Sequence, residues 1–72
     1  MLISDLVYNN FDINCRYVIY DCRKDGVTWD EANVLYDSEK DRSKPLNWIL
    51  DLQVKYITLG ENCIVIEATS RK

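Results

Sequence analysis

The sequence predicts an α+β domain in which a small antiparallel sheet of about four strands packs against two short helices. Three observations predict this class. The first half of residues 13–22 alternates at the two-residue period of a strand, and residues 54–68 have the pattern of a β-hairpin. Two short helices are indicated by Ser4 as an N-cap and by apolar residues at helical spacing within residues 46–52. A chain of 72 residues has room for a single compact domain, residues 1–72, with residues 69–72 as a frayed polar tail.

The first predicted element is a short helical turn at residues 4–7, which must dock on the core because one or two turns are marginal alone. The strand over residues 13–22 follows. Its first half alternates cleanly, but Val18, Tyr20 and Cys22 make the second face apolar as well. A strand that is apolar on both faces needs a second cover, by a helix or by another chain. These three residues are therefore a possible dimer face.

An Asp-Gly pair at residues 25–26 signals a turn after this strand, since glycine accepts positive φ without steric cost. Residues 28–37 then have two interpretations. Thr28 and Glu31 fit a capping box that would begin a helix, whereas the later residues alternate as a strand does. We favour an excursion that ends at Glu31 and a strand over residues 32–37, because the other strands need sheet partners. The helix remains the alternative.

The charged residues 38–45 form a connector, and Pro45 marks the start of a short helix over residues 46–52. Residues 54–59 and 63–68 then alternate on either side of a glycine-containing loop, which is typical of a hairpin. The hairpin residues expected to face the core are Ile64, Ile66 and Ala68.

The composition argues against an enzyme, because the chain has no histidine, the commonest general acid/base. The only glycines are Gly26 and Gly60, so there is no glycine-rich phosphate loop. The cysteines, Cys15, Cys22 and Cys63, lack the spacing of a zinc site. The sequence therefore predicts no catalytic residues, no cofactor and no metal.

Charge and cysteine usage limit the compartment and the class of partner. An odd number of cysteines, and a beginning without the basic region of a secretory signal, predict a cytoplasmic protein. No apolar run approaches the roughly 20 residues that span a bilayer, which predicts no membrane association. The basic residues are spread through a chain of net charge −3, which argues against direct binding of nucleic acid.

The acidic residues are concentrated in one part of the chain. Residues 25–41 hold six acids and one base, a net −5 against −3 for the whole chain. Such a segment is either a solvated loop or a surface that attracts a basic protein. Trp29 lies beside two of these acids in a turn region, where an aromatic side chain can anchor a partner. The candidate partner-binding residues are Trp29, Asp30, Glu31, Asp37, Glu39 and Asp41.

The other aromatic residues have more ordinary interpretations. Tyr17 and Tyr56 are expected in the core, because large aromatic side chains fill the interiors of small domains. Trp48 is either a further core residue or a surface anchor.

The order of elements, with a strand "RYVIYDC", a strand "ANVLYDS" and a hairpin "VKYITLGENCIVIEA", resembles small accessory proteins encoded by phages and integrative elements of Firmicutes. That class includes anti-CRISPR proteins, small acidic binders that block the DNA-contacting surface of a nuclease. The resemblance covers nearly the whole chain and carries over no catalytic residue. It implies that the acidic segment, residues 25–41, imitates phosphate charge as a DNA mimic does.

The leading hypothesis is therefore a non-catalytic protein-interaction module, an anti-defence inhibitor whose acidic segment occludes a basic nucleic-acid-binding site on a protein partner. The alternative is a structural homodimeric accessory protein with no inhibitory role, which would associate through Val18, Tyr20 and Cys22.

Overall fold

A computed structural model of the chain describes residues 1–9, 16–24, 26–41, 44–60 and 63–70. The elements are a π-helical turn Asp5–Asn9, strand β1 (Arg16–Asp21), strand β2 (Val34–Asp37), helix α1 (Asn47–Leu50), strand β3 (Gln53–Gly60) and strand β4 (Cys63–Thr69). Four strands and two short helices confirm the predicted α+β class.

The four strands form one sheet in the order β2-β1-β4-β3. The β1–β2 and β3–β4 pairs are antiparallel, but β1 and β4 at the centre run parallel. The expected antiparallel sheet is therefore corrected to a mixed one. Apolar alternation within a strand carries no information on the direction of its neighbour, and the long connection from β1 to β4 permits a parallel crossover.

The core lies between the helical segments and one face of the sheet, here called the helical face. Ile19 of β1 and Ile66 of β4 are paired in register at its centre, and both are 0% exposed. Apolar residues of both helical segments belong to the same buried cluster, and this packing stabilises helices that would be marginal alone. The buried cluster comprises Ile3, Leu6, Ile19, Tyr36, Ile49, Leu50, Leu52, Ile64, Ile66 and Ala68.

Most predicted elements appear within a few residues of their expected bounds. Strand β2 begins at Val34 after turns at residues 29–32, which confirms the excursion and the strand and excludes a helix there. Strand β4 extends through Thr69, the first residue of the expected tail. The expectations for residues 13–15, for the hairpin loop at 61–62 and for residues 71–72 lie outside the described residues.

The two tyrosines expected in the core differ in how far they are buried. Tyr17 packs against the core cluster with its ring 5.7 Å from that of Tyr36, and burial raises the pKa of Tyr17 to about 12. Tyr56 is 65% exposed, so that prediction was wrong. Its strand, β3, is an outer strand of the sheet, where alternation continues although little covers the side chains.

The opposite face of the sheet, here called the second face, is also partly buried. Val18 of β1 is directly opposite Val65 of β4, and the two are 4% and 5% exposed. Glu67, two residues further along β4, is buried on the same face. This face carries the candidate site, because the chain between β1 and β2 returns to it.

Candidate functional site

The segment between β1 and β2, residues 26–33, is built from successive turns. Gly26 has a φ of 81°, a conformation that an L side chain would strain. Glu31 donates its backbone N–H to the Thr28 carbonyl at 3.0 Å, and Ala32 donates to the Trp29 carbonyl at 3.3 Å. These bonds hold residues 28–32 in two overlapping tight turns that include Trp29.

Trp29 is held in place although its side chain reaches solvent. The indole lies against the Tyr20 ring, with 5.7 Å between centroids and 59° between planes. Its backbone N–H donates to Oε2 of Glu67 at 3.2 Å, and the residue is 41% exposed. A ring contact from β1 and a hydrogen bond from β4 thus position an exposed aromatic side chain over the second face.

Glu67 is the residue in this arrangement that the sequence did not single out. It is 6% exposed in the middle of an otherwise apolar strand, and its carboxylate accepts the Trp29 amide. A buried carboxylate is costly unless it is hydrogen-bonded. A single acid within the apolar run of residues 63–68 does mark Glu67 as unusual in the sequence. Its partner Trp29 lies 38 positions away, and no local pattern relates the two.

An open groove of about 510 Å³ lies between the Trp29 loop and β3. Its lining includes Trp29, Asp30, Lys55, Tyr56 and Glu67. Tyr56 therefore contributes an exposed aromatic wall rather than a core contact. The groove combines two aromatic side chains with charges of both signs, a composition common at protein interfaces.

Asp30 and Glu31 follow Trp29 in the loop, and both are exposed. Asp30 lines the same groove as Trp29, whereas Glu31 lines a second groove with Arg23 and Lys24. The Thr28 hydroxyl donates to the Asp30 carboxylate, which fixes that side chain next to Trp29. Glu31 has no such side-chain partner among the described residues. Trp29, Asp30 and Glu31 are thus three consecutive exposed residues of the loop, here called the Trp29 patch.

The other three acidic candidates lie at the opposite end of β2. Asp37 is 4% exposed, and its carboxylate accepts hydrogen bonds from Nε and Nη2 of Arg16 at 3.0 and 2.5 Å. The hydrogen bonds and charge of Arg16 lower the pKa of Asp37 to about 2, and Asp37 in turn raises the pKa of Arg16. This carboxylate neutralises an arginine of the same chain and is therefore not available to bind a partner.

Glu39 and Asp41 complete a turn around Asp37. The Glu39 N–H donates to Oδ1 of Asp37 at 3.0 Å, and the Asp37 N–H donates to Oδ2 of Asp41 at 2.9 Å. The Glu39 carboxylate lies 3.6 Å from Nε of Arg16 but is 70% exposed. The acidic segment is thus divided between the Trp29 patch, which precedes β2, and this structural turn at the far end of β2.

The possible dimer face is mostly covered within the chain itself. Val18 and Cys22 are 4% and 1% exposed, and Tyr20 lies under Trp29. The sequence pattern indicated that this face needs a cover, and the excursion that carries Trp29 supplies part of it. Burial raises the pKa of the Cys22 thiol, with the Glu67 charge contributing. A second copy would find little of these three side chains at the surface.

Two further findings concern the described part of the chain. No group of three or more cysteine, aspartate and glutamate side chains in it is arranged to hold a metal ion. None of its helices has the length and the apolar run that crossing a bilayer requires.

Comparison with protein-family models, with curated proteins and with solved structures finds no match to this chain.

Proposed function

We propose that this chain is a non-catalytic protein-interaction module that binds a basic protein surface through the Trp29 patch. The observation that carries the proposal is the state of Trp29, which is 41% exposed yet fixed by Tyr20 and Glu67. A solvent-exposed indole with its backbone bonded to a buried carboxylate has no evident role in the core. It is suited to insertion into a pocket of a partner.

Preorganisation is the physical basis of the proposal. Tryptophan is enriched among the residues that dominate binding energy, because it buries a large area and loses few rotamers. Holding its backbone before binding lowers the ordering cost that association must offset. The turn bonds at Thr28–Glu31 and Trp29–Ala32 and the Glu67 contact therefore all favour affinity.

The charge of the patch favours a basic partner. Asp30 and Glu31 are exposed next to Trp29 in the chain, and no described arginine or lysine forms a salt bridge with either. Exposed carboxylates steer a basic partner toward the patch and repel phosphate. A partner whose basic site binds nucleic acid would be occluded. This is the anti-defence role that the resemblance to phage and mobile-element accessory proteins implies.

The proposed set of partner-binding residues is smaller than the set predicted from the sequence. Asp37 is committed to Arg16, and Asp41 accepts a backbone N–H in the same turn. Mimicry of phosphate charge would therefore come from Asp30 and Glu31, with Glu39 at a separate position. The indole contributes apolar contact that a purely electrostatic mimic would lack.

Replacing Trp29 with alanine tests the proposal. The chain, tagged at its C-terminus, is immobilised and used to capture proteins from an extract of the cells that produce it, with quantitative mass spectrometry as the readout. Loss of a central aromatic anchor costs at least about 2 kcal/mol, so we expect retention of the partner to fall by about thirty-fold.

The matched control is Trp48→Ala. Trp48 is exposed to a similar extent, 46%, but lies on α1 with the Arg23 guanidinium 5.4 Å from its ring centroid. We expect this variant to retain the partner as the unmodified chain does. Equal retention on the Trp29→Ala and Trp48→Ala chains would contradict the proposal.

A further inference from the structure

The outer edge of β3 is the largest unoccupied stretch of strand in the described chain. Residues 55–60 are exposed on both faces of the sheet. Tyr56, Ile57 and Leu59 are 65%, 39% and 78% exposed. Native proteins usually protect such an edge with proline, several charges or a covering segment, because it is a template for pairing with another chain.

The N-terminal segment covers only the first residues of this edge. Leu2 forms a bridge with Gln53, and the Val54 N–H donates to the Met1 carbonyl at 2.7 Å. A bulge between Val54 and Tyr56 then shifts the register. No described backbone group is bonded to the outer edge beyond Val54. Lys55, at the bulge, is the only charged side chain on the rest of the strand.

The register shows which backbone groups point outward. The Val54 N–H faces the N-terminal segment, so Gln53 faces β4, where it pairs with Thr69. After the bulge, the same alternation directs Tyr56, Thr58 and Gly60 toward β4. The N–H and C=O groups of Ile57 and Leu59 therefore point away from the sheet, at the free edge.

We propose that the occupant of this edge is a second copy of the chain, paired antiparallel through β3 with Thr58 on the two-fold axis. In that register, Ile57 of one protomer exchanges two N–H···O=C bonds with Leu59 of its partner, and Leu59 does the same with Ile57. All the outward backbone groups of these two residues are then satisfied. The two sheets join into one.

The side chains on both faces fit this register. On the helical face, each Ile57 meets a Leu59 of the other protomer, which joins two exposed apolar side chains on each side of the axis. On the second face, each Tyr56 lies across from a Gly60, a pairing in which an aromatic ring covers a strand glycine. The two Lys55 side chains lie at opposite ends of the paired stretch and do not repel each other at close range.

The neighbouring register is less favourable. With Ile57 on the axis, Leu59 would be opposite Lys55, the residue at the bulge, where regular ladder bonds are disrupted. Only the Ile57 pair would then form two undistorted bonds. Placing Thr58 on the axis keeps the whole paired stretch clear of the bulge.

The proposed interface is small, so we expect weak association. Six residues span about 20 Å of strand, and the area they bury lies at or below the low end of stable interfaces, about 1,200 Å² in total. The dimer therefore forms in a concentration-dependent equilibrium with the monomer. It uses the free edge of β3, beside the groove that Tyr56 and Thr58 line together with Trp29, and it does not depend on the proposed function.

Cysteine cross-linking tests the register directly. A residue on the two-fold axis meets its own copy as a non-hydrogen-bonded pair, with Cα atoms about 4.5 Å apart, within the range of a disulfide. Thr58→Cys is expected to form a disulfide between the introduced thiols of the two protomers under mild oxidation, identified by peptide mapping. Tyr56→Cys is the control on the same face, since its two copies would lie about 13 Å apart along the strands and form no bridge.

Light scattering tests the association without cross-linking. Over a series from about 10 µM to about 1 mM, which spans the dissociation constants of small interfaces, the average mass is expected to rise from 8.5 kDa toward twice that value. Leu59→Lys should hold it at the monomer mass, and Val34→Lys, at the exposed β2 edge, should not. A monomer throughout, or equal bridging by both cysteine variants, would overturn the proposal.

Discussion

The Ile66→Ala variant is expected to lose about 2–5 kcal/mol of unfolding free energy, the range for removing a large buried aliphatic side chain. Ile66 is 0% exposed in β4, a central strand, and belongs to the core cluster. A chain of this size buries a modest fraction of its surface and has a thin stability margin. We expect the variant to be largely unfolded at physiological temperature. Urea unfolding followed by tryptophan fluorescence measures the loss.

Ile57→Ala is the matched control for that substitution. Ile57 is directly opposite Ile66 in the β3–β4 register, but it is 39% exposed. The same atoms are removed from the neighbouring strand, with less apolar area lost from the interior. The loss should be less than half of that for Ile66→Ala, measured at low micromolar concentration. Equal losses would contradict the assignment of Ile66 to the centre of the core.

Asp37→Asn is expected to destabilise the fold by about 2 kcal/mol, because it removes the charge from hydrogen bonds to a guanidinium at a buried position. Asp37 accepts two bonds from Arg16 and one from the Glu39 N–H. The asparagine amide would keep one acceptor oxygen, but its NH₂ group, a donor, would face the donor groups of Arg16. Glu39→Gln is the control on the same arginine. Since that carboxylate is 70% exposed, we expect a loss of at most about 1 kcal/mol.

The pH dependence of stability provides a second readout of the Asp37–Arg16 pair. The folded-state pKa of Asp37 is about 2, below the ordinary value of 3.8. The folded state therefore releases this proton more readily than the unfolded state does. The resulting stabilisation is complete above pH 3.8 and is lost as the pH falls toward 2. Asp37→Asn should flatten the stability profile in that window, and an unchanged slope would contradict the pairing.

The strands and helices could be predicted from the sequence, because the period of apolar side chains and the identity of turn residues are local properties. The described part of the first alternating segment forms β1, the two arms of the hairpin pattern form β3 and β4, and Gly26 precedes the turns at residues 29–32. The direction of β4 relative to β1 is not local. It depends on which strands meet after the crossover, and no pattern within either strand encodes that.

The candidate site was only half predictable for the same reason. Trp29 was identified because an aromatic beside two acids in a turn is unusual, but its supports, Tyr20 and Glu67, lie in other elements. Asp37 was grouped with the exposed acids because charge runs are normally solvated. Its partner, Arg16, is 21 positions away, and only the β1–β2 pairing brings the two together.

The capture experiment with Glu31→Lys tests binding through the Trp29 patch most directly. The substitution reverses an exposed charge of the patch and breaks no side-chain hydrogen bond or ion pair among the described residues. The comparison variant in the same acidic segment is Asp37→Asn, assayed under conditions in which it is folded. We predict that Glu31→Lys loses the partner while its unfolding midpoint is unchanged, and that Asp37→Asn retains it. Binding to the unmodified chain should also weaken strongly at about 1 M salt, where charges are screened within about 3 Å. Retention of the partner by Glu31→Lys together with salt-insensitive binding would contradict binding of a basic partner through the Trp29 patch.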